Sequence, residues 1–370
     1  MSEPLPPAGQ PGPGAGTAGA DGADGSGDEV SREQLSLGHR LRQPRTIISL
    51  ALPLVLLVLL ARALPGFQLE QLPARILAAD PLLLLAAFAV YYLGFPLRGY
   101  RWSILLRETG ARISTRDSTE IIFISWLVNC LVPAKLGDVY RAWLLRLNFA
   151  VSLSRTVGTV FMERVFDLFA IVVLGVAAGF WSFRSGLPLY VQFIFGVGVA
   201  VVVGLVVGLF TLRNFGRRIV ERLPLPHRLL EFYDRFEEGV FSVAYRDVPR
   251  LALVTALIWT TEAARLFLVV AALGMSDVHL GISGAFFVAL AASLLTAVPL
   301  TPAGIGVVEA GIVGILTVIY GVAPTEAASI ALVDRAISVL SIIVLGAIAY
   351  VISPKTKGSG PPKAVASEGV

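Results

Sequence analysis

Long apolar runs are the feature that most constrains what this chain can fold into. Six of them are long enough to cross the hydrocarbon core of a bilayer, which takes about 18 or more predominantly apolar residues. They lie at about 46–64, 81–106, 153–181, 188–212, 249–273 and 325–352. Only 15% of the 370 residues are charged, against roughly 25% in a typical soluble domain. The sequence lacks the repeated strands of about ten alternating residues that build a transmembrane barrel. It predicts an all-α polytopic membrane protein with about six full spans.

Two further apolar stretches, at 118–150 and 282–321, are interrupted by proline, glycine and charged residues. Pro133 in VPAKLGD and Pro302 in TPAGIGV should each end a helix, because proline has no backbone N–H to donate. Non-helical backbone is tolerated at membrane depth only where it is buried in protein or lines a wet cavity. We therefore expect two re-entrant broken-helix hairpins.

The two halves of the chain share a spacing of their unusual residues. Pro133 and Pro302 are offset by 169 positions (302 − 133), and Arg164 and Arg335 by 171 (335 − 164). Each of these arginines directly follows an acidic residue within an apolar run. Similar halves that enter from opposite faces form an inverted repeat, with the binding site near the bilayer midplane. We predict an inverted-repeat helical bundle whose halves are about 45–185 and 186–352.

Basic residues predict the orientation of the chain. Arginines precede the first run, follow the second and crowd the polar segment 213–248, and lysines occur in the segment 353–370. Since Lys and Arg concentrate in cytoplasmic loops, we expect a multi-pass protein of the inner (plasma) membrane with both termini cytoplasmic. Residues 1–36 are rich in Pro, Gly and Ala, which predicts a disordered tail before the membrane domain at 45–352. Residues 353–370 are expected to form a second, basic tail.

The polar segment 213–248 has apolar residues at helical spacing with charges between them. We predict an amphipathic helix on the cytoplasmic membrane surface, and a small packed cytoplasmic hairpin remains an alternative. The apolar residues concerned are Leu229, Phe232, Phe236, Val240 and Val243.

Several charges fall deep inside the predicted spans. A charge at the bilayer centre costs at least about 2.5 kcal/mol, so these side chains should face the protein interior, in pairs or around a wet cavity. Structural ion pairs that only set helix register remain an alternative. By contrast, we expect Arg98 and Arg101, late in the second span, to extend to the cytoplasmic interface. The carboxylates in this group are candidate proton or ion carriers: Glu163, Asp167, Glu262 and Asp334.

The interrupted stretches favour an anion as ligand. A half-helix that begins after a break directs free N–H groups and a positive dipole end toward the midplane, and guanidinium groups match the geometry of phosphate. One cysteine and three scattered histidines form no metal-ligand pattern, so we expect no metal or cofactor. The candidate substrate-binding residues are Asn129, Lys135, Gly137, Asp138, Arg141, Arg164, Gly304, Gly306, Glu309 and Arg335.

Four motifs stand out in the sequence: NCLVPAKLGDVYR at 129–141, ERVFD at 163–167, PLTPAGIGVVEAG at 299–311 and DRAIS at 334–338. Together they resemble one known family, the lysylphosphatidylglycerol-synthase transmembrane region or flippase-like integral membrane proteins. The resemblance covers about 45–352, and the motif RGYRW at 98–102 adds to it. It implies an inverted-repeat bundle with two re-entrant hairpins and the translocation of a lipid or polyprenyl phosphate.

The chain departs from the family pattern at three points. Lys135 stands where arginine is expected, which permits phosphate contact but not a bidentate one. Ala303 stands where glycine is common. We expect no aminoacyl-transferase domain after residue 352, and hence no aminoacylation of phosphatidylglycerol.

The sequence predicts a membrane transporter or flippase that moves an anionic phospholipid or polyprenyl-phosphate-linked lipid between leaflets, and not an enzyme. Two alternatives remain: an accessory lipid-binding subunit for a partner membrane enzyme, and a membrane-embedded enzyme that acts on lipid-linked substrates. The expected partners are the lipid and the bilayer, with no nucleic acid. A homo-oligomer is left open.

Overall fold

The computed structural model describes most of the predicted membrane domain. The first predicted span at 46–64, Pro133 and both chain ends lie outside the described residues. The described ranges are 69–132, 135–183, 186, 189–222, 226–274, 280–295 and 301–358.

The regular structure of the described residues is helical. The α-helices are α1 (Leu72–Leu77), α2 (Pro81–Arg107), α3 (Thr115–Leu131), α4 (Leu136–Phe149), α5 (Leu153–Ser182), α6 (Leu189–Thr211), α7 (Arg217–Glu221), α8 (His227–Val240), α9 (Val248–Ala272), α10 (Gly281–Leu295), α11 (Val307–Val318), α12 (Pro324–Arg335) and α13 (Ser341–Ile352).

Five helical segments in the described part of the chain are long and apolar enough to cross a membrane. This confirms the prediction of an all-helical polytopic membrane protein. Large apolar side chains of α6, such as Phe193 and Phe210, are exposed, as expected of a helix that faces lipid. The five segments are Pro81–Arg107, Leu153–Ser182, Gly196–Glu221, Tyr245–Ala272 and Pro324–Ile352.

The last span contains a π-helical turn. Ala336–Leu340 joins α12 to α13 without ending the helix. Such a turn inserts one residue into the helical ladder and is frequent at functional sites. Within it, the carbonyl oxygen of Ser338 accepts a hydrogen bond from the Tyr91 hydroxyl at 3.0 Å. The turn therefore lies against α2, directly after Arg335.

Both interrupted stretches contain a break between two short helices. The first break follows α3 and ends at Lys135, and the second holds the 3₁₀ turn Pro302–Gly304 between α10 and α11. Lys135 and Ala303 have positive φ angles of 53° and 50°. This left-handed conformation costs a residue with a Cβ atom roughly 1–2 kcal/mol. Both breaks therefore keep a strained residue that the surrounding packing must hold.

Contacts near helix ends define one end of the bundle. The amide of Asp80, before α2, donates to the carbonyl of Ala272 at the end of α9, at 2.8 Å. Ser182, at the end of α5, hydrogen-bonds Tyr320, just beyond α11, at 3.0 Å. Gly284 in the first turn of α10 also lies against Tyr320. The start of α10 and the end of α11 therefore lie together.

The opposite end of the bundle is held by Lys355. Its ammonium pairs with Asp117 at 2.8 Å and Glu120 at 2.6 Å, near the start of α3, and its carbonyl accepts from Asn148, near the end of α4. Burial disfavours the lysine charge, but these partners raise the pKa of Lys355 above its ordinary value. Residues 353–358, which we assigned to the tail, thus contact the first interrupted stretch.

The amphipathic helix α8 packs along α5. Gly158 and Gly239 allow the two backbones to approach closely: a Cβ added at Gly239 would lie 2.2 Å from the Arg155 carbonyl oxygen. Val240 is fully buried, whereas Leu229 and Phe232 remain exposed. Helix α8 therefore packs some of its apolar side chains against the bundle and leaves others exposed.

A Gly239→Val substitution tests this packing. The added side chain must push α8 away from α5, and overpacking of this kind costs about 1–3 kcal/mol. We expect a lower unfolding temperature in detergent. Gly204→Val in α6 is the matched control, because no atom lies within 4 Å of a Cβ at that position. Equal melting of the two variants would contradict the close contact.

Candidate functional site

A central cavity of about 190 Å³ lies between the two breaks. Its wall combines charged residues with three aromatic side chains, Tyr91, Trp126 and Trp259. The charged residues in the wall are Arg98, Lys135, Arg164, Asp167, Glu262, Arg265, Asp334 and Arg335.

One ion-pair network surrounds the carboxylates of α5. Arg101 is only 1% exposed, and its guanidinium donates to Asp167 Oδ1 at 2.6 Å and to Glu163 Oε1 at 2.7 Å. Arg141, in α4, donates to the other oxygen of Glu163 at 2.6 Å and stacks on the Trp102 ring. Buried arginines on α2 and α4 thus enclose these carboxylates.

Arg164 extends the same network to the cavity. Its guanidinium pairs with Asp138, in the first turn of α4, at 2.9 Å, and lies 3.6 Å from Asp167. The side chain of Arg164 is 35% exposed and lines the cavity. We call these six residues the α5 network: Arg101, Asp138, Arg141, Glu163, Arg164 and Asp167.

A second network joins α2, α9 and α12. Arg98 donates to Glu262 Oε1 at 2.6 Å, and Glu262 also pairs with Arg265. Arg265 in turn donates to Asp334 Oδ1 at 2.8 Å. Arg98 lies 4.7 Å from the centre of the Trp126 ring, a distance suited to a cation–π contact. We call Arg98, Glu262, Arg265 and Asp334 the α9 network.

A separate pair holds the second break. Arg335 Nε donates to Glu309 Oε1 at 2.8 Å, and the other Glu309 oxygen accepts from the Gly306 amide at 2.7 Å. Glu309 therefore caps the start of α11, and Gly306 adopts the φ of 86° that this turn requires. Glu309 and Arg335 are 26 residues apart, as are Asp138 and Arg164. In both pairs, a carboxylate in the first turn after a break holds an arginine on a later helix.

The expectation that Arg98 and Arg101 extend to the membrane interface is wrong. Both guanidinium groups are buried in the interior because carboxylates on α5 and α9 neutralise them. One sequence signal indicated this: Arg98 and Arg101 lie three residues apart on one helix face, as do Glu262 and Arg265. The carboxylate partners themselves come from distant parts of the chain.

The structure places the predicted binding residues in two groups. Those that line the cavity are Asn129, Lys135, Arg164, Gly304 and Arg335, together with Asp167, Glu262 and Asp334 of the predicted proton carriers. Those behind the wall are Gly137, Asp138, Arg141, Glu163, Gly306 and Glu309, whose contacts hold the wall in place.

The amide of Gly137 illustrates the supporting role of the residues behind the wall. It donates to Asn129 Oδ1 at 2.8 Å, which joins the start of α4 to the end of α3. A Cβ at Gly137 would lie 2.1 Å from the Ser125 carbonyl oxygen, so only glycine fits there. The first break is therefore closed by direct backbone contact.

Several polar groups in the cavity wall lack a partner among the described residues. These buried atoms are Arg98 Nη1, Arg164 Nε, Thr301 Oγ1 and Ser338 Oγ. All four can donate a hydrogen bond, and a buried donor left unpaired is costly. Lys135 also lines the cavity and forms no ion pair within the described ranges. The wall can therefore hold a ligand rich in acceptor oxygens, such as phosphate. The residues that the structure describes include no cluster of three or more His, Cys, Asp or Glu side chains that could hold a metal ion.

An Arg101→Met substitution tests the α5 network. It removes the cation between Glu163 and Asp167, and breaking a buried ion pair in this way costs about 3–5 kcal/mol. We expect a large loss of stability in detergent, measured by denaturant or thermal unfolding. Arg217→Met is the matched control, because the Arg217–Glu221 pair is exposed and such pairs contribute at most about 1 kcal/mol. Equal losses in the two variants would argue against a structural role for the buried pairing.

Comparison with known proteins gives a family match over most of the chain. The sequence model of the family described as lysylphosphatidylglycerol synthase TM region matches residues 46–346. The UPF0104 membrane protein MJ1078 of Methanocaldococcus jannaschii is 37% identical over 61% of this chain and 93% of its own length. A UPF0104 membrane protein of Methanothermobacter thermautotrophicus is 27% identical over 72% of this chain and 84% of its own length.

A third relative is the protein named Glycosyltransferase AglD of Haloferax volcanii. It is 27% identical over 89% of this chain, and this chain spans 58% of its length. The name contradicts our expectation that the chain is not an enzyme, because a relative aligned with nearly the whole chain is named for an enzymatic activity. That expectation is therefore withdrawn.

Proposed function

The chain belongs to the lysylphosphatidylglycerol synthase TM region family, and from this premise we propose that it binds an anionic phospholipid or polyprenyl-phosphate-linked lipid and moves it between leaflets. One observation carries the proposal: a cavity between two helix breaks whose wall holds a lysine and several donor groups that have no partner among the described residues. The phosphate would occupy the cavity, while the acyl or prenyl chains remain in the bilayer.

The cavity chemistry supports a phosphate ligand. Lys135 supplies a positive charge, and the buried Arg98 Nη1 and Arg164 Nε atoms supply directed N–H donors. Charge-assisted hydrogen bonds to phosphate are about twice as strong as neutral ones. Trp126 and Trp259 add apolar surface to the wall, and electrostatic interactions are stronger where the surroundings have a low dielectric constant.

An inverted repeat with two re-entrant hairpins is part of the proposal. The starts of α4 and α11 are offset by 171 positions (307 − 136), the same as Arg164 and Arg335. Lys355 holds the start of α3 near the end of α4 at one end of the bundle, and Tyr320 holds the start of α10 near the end of α11 at the other. These contacts support hairpins that enter from opposite faces, and rocking of the halves would give alternating access.

The predicted proton carriers are all ion-paired within the two networks. Glu163, Asp167, Glu262 and Asp334 each contact at least one arginine. Each of these ion pairs would have to separate during the movement before its carboxylate could serve as a carrier. In this proposal, coupling to a proton gradient takes place only while the two halves of the bundle move.

A second candidate function is a role in glycosyl transfer involving a lipid-linked sugar. The similarity to the relative named Glycosyltransferase AglD favours it. A cavity that holds lipid-linked phosphate serves this role as well, either within the chain or beside a partner membrane enzyme. The two candidates differ in whether a covalent bond of the lipid changes.

Reconstitution in liposomes tests the proposal. We expect labelled phosphatidylglycerol or a polyprenyl-phosphate-linked sugar to cross the bilayer faster than in empty liposomes. Lys135→Met should slow the movement roughly tenfold, since it removes one charged contact worth about 1.5–3 kcal/mol. Lys357→Met is the matched control, because Lys357 is exposed and outside the cavity.

The same preparation separates the two candidates. Movement of unchanged lipid supports translocation, whereas release or transfer of the sugar from a lipid-linked sugar supports the second candidate. Flux at the empty-liposome rate with each lipid, with and without an ion gradient, would reject translocation.

Cysteine labelling tests the proposed orientation. In a Cys130→Ala background, Ser242→Cys should be protected from an impermeant reagent applied outside the cell, and Leu189→Cys should react. Ser242 lies between α8 and α9, and Leu189 begins α6 with 79% of its side chain exposed. Labelling of Ser242→Cys from outside would reverse the predicted topology.

A further inference from the structure

The charged groups around the cavity are almost fully balanced. The α5 network contains three arginines and three carboxylates, and the α9 network contains two of each. Arg335 and Glu309 form one further neutral pair. Lys135 adds a cation without a carboxylate partner among the described residues. Seven cations therefore face six carboxylates, which leaves one positive charge.

The two gaps next to the breaks contain no ionisable residue in the sequence. The undescribed residues next to the breaks are Pro133 and Ala134 in the first and 296–300, TAVPL, in the second. None of these side chains ionises. Within the described residues and these gaps, the surplus charge is that of Lys135.

The arginines in the wall can contact a ligand without adding to this charge. Arg98 is 5% exposed and Ser338 is 8% exposed, and each has an unpartnered donor atom in the cavity wall. The charge of Arg98 is already neutralised by Glu262, so Nη1 offers a hydrogen bond only. These donors fit phosphate oxygens, whereas Lys135 supplies the compensating charge.

A single surplus charge discriminates between classes of phosphate. A monoanion cancels the charge of Lys135 and leaves a neutral cavity. A second negative charge would have to remain uncompensated or take an arginine from its carboxylate, and either outcome leaves an unpaired charge at membrane depth. Such a charge is costly enough to weaken binding by on the order of tenfold or more.

We propose that the cavity selects a lipid phosphate with one negative charge, a phosphodiester, over a phosphomonoester or a diphosphate, and that Lys135 sets this selectivity. The inference rests on the proposed function, because it specifies the ligand of the same cavity.

Competition binding tests the selectivity on the full-length protein in nonionic detergent. Radiolabelled phosphatidylglycerol is displaced with a dialkyl phosphate, a monoalkyl phosphate or a monoalkyl diphosphate of equal chain length, at about pH 7. Most of the phosphomonoester is then doubly charged, because its second pKa is about 6. We expect the dialkyl phosphate to compete at least about tenfold better than the other two.

Three variants test the charge count. Lys135→Met should weaken the dialkyl phosphate about tenfold and reduce its advantage, whereas Lys135→Arg, the matched control, should keep the preference. Glu309→Gln leaves Arg335 without its carboxylate while an amide oxygen can still accept from Gly306, and it raises the surplus to two. This variant should shift the preference toward the doubly charged monoalkyl phosphate.

The outcomes separate this inference from the proposed function. If no phosphate lipid binds, the phosphate site itself is rejected. If the diphosphate or monoester competes as well as the diester, the site stands and the selectivity is rejected. An unchanged preference in Lys135→Met, or no shift in Glu309→Gln, would reject the charge count even if every lipid binds.

Discussion

The cost of a charge inside a bilayer is the constraint on which the rest of this structure depends. An unpaired arginine inside the bundle would be costly, and Arg101, which is 1% exposed, is held by Glu163 and Asp167 within 2.7 Å. Pairing of this kind requires α2 to lie beside α5 at one register, and the Arg98–Glu262 pair does the same for α2 and α9. A shift by one residue along a helix would separate the partners. In a membrane, where apolar surfaces gain little from contact with each other, such pairs specify which helices meet and at what height.

The helix breaks follow from the same constraint. A helix that starts at membrane depth exposes a positive dipole end, and we expected a ligand anion there. In the structure, Asp138 and Glu309 in the first turns of α4 and α11 take that place. Each then binds an arginine from a later helix, which brings Arg164 and Arg335 to the cavity wall. The breaks therefore act on the cavity through these arginines, and the cavity wall presents their side chains rather than bare helix ends.

The sequence predicted the helices well and the pairing poorly, for a physical reason. Hydropathy and the positions of prolines can be read from the local sequence. The predicted span at 153–181 therefore agrees with α5, Leu153–Ser182, and α3 ends at Leu131, close to the predicted break at Pro133. The partners of Arg101 and Arg98 are 66 and 164 residues away, and proximity in space leaves no local trace. Because Arg98 and Arg101 lie near the end of an apolar run, the sequence suggested that both side chains reach the membrane interface. In the structure both side chains are buried in the bundle instead, because α5 and α9 carry the carboxylates that pair with them. The sequence predicted Lys135 as one of ten binding residues. Only the ion pairs in the structure set it apart, because the arginines among the ten are paired with carboxylates.

Lysine and arginine differ in how they bind phosphate, and this difference bears on the role of Lys135 in the cavity. The wall arginines Arg164 and Arg265 use their planar guanidinium groups to hold carboxylates in place, which stabilises the bundle. Lysine has a compact charge on a flexible stem, binds phosphate without a fixed fork and needs no bidentate partner. A site that must bind a lipid and release it benefits from a charged contact that is strong but not rigid. The left-handed backbone at Lys135 places this flexible group at the break itself, where the α3–α4 hairpin closes on the cavity. In the proposed function the arginine pairs maintain the cavity, and Lys135, which has no ion pair within the described part of the chain, would contact the ligand.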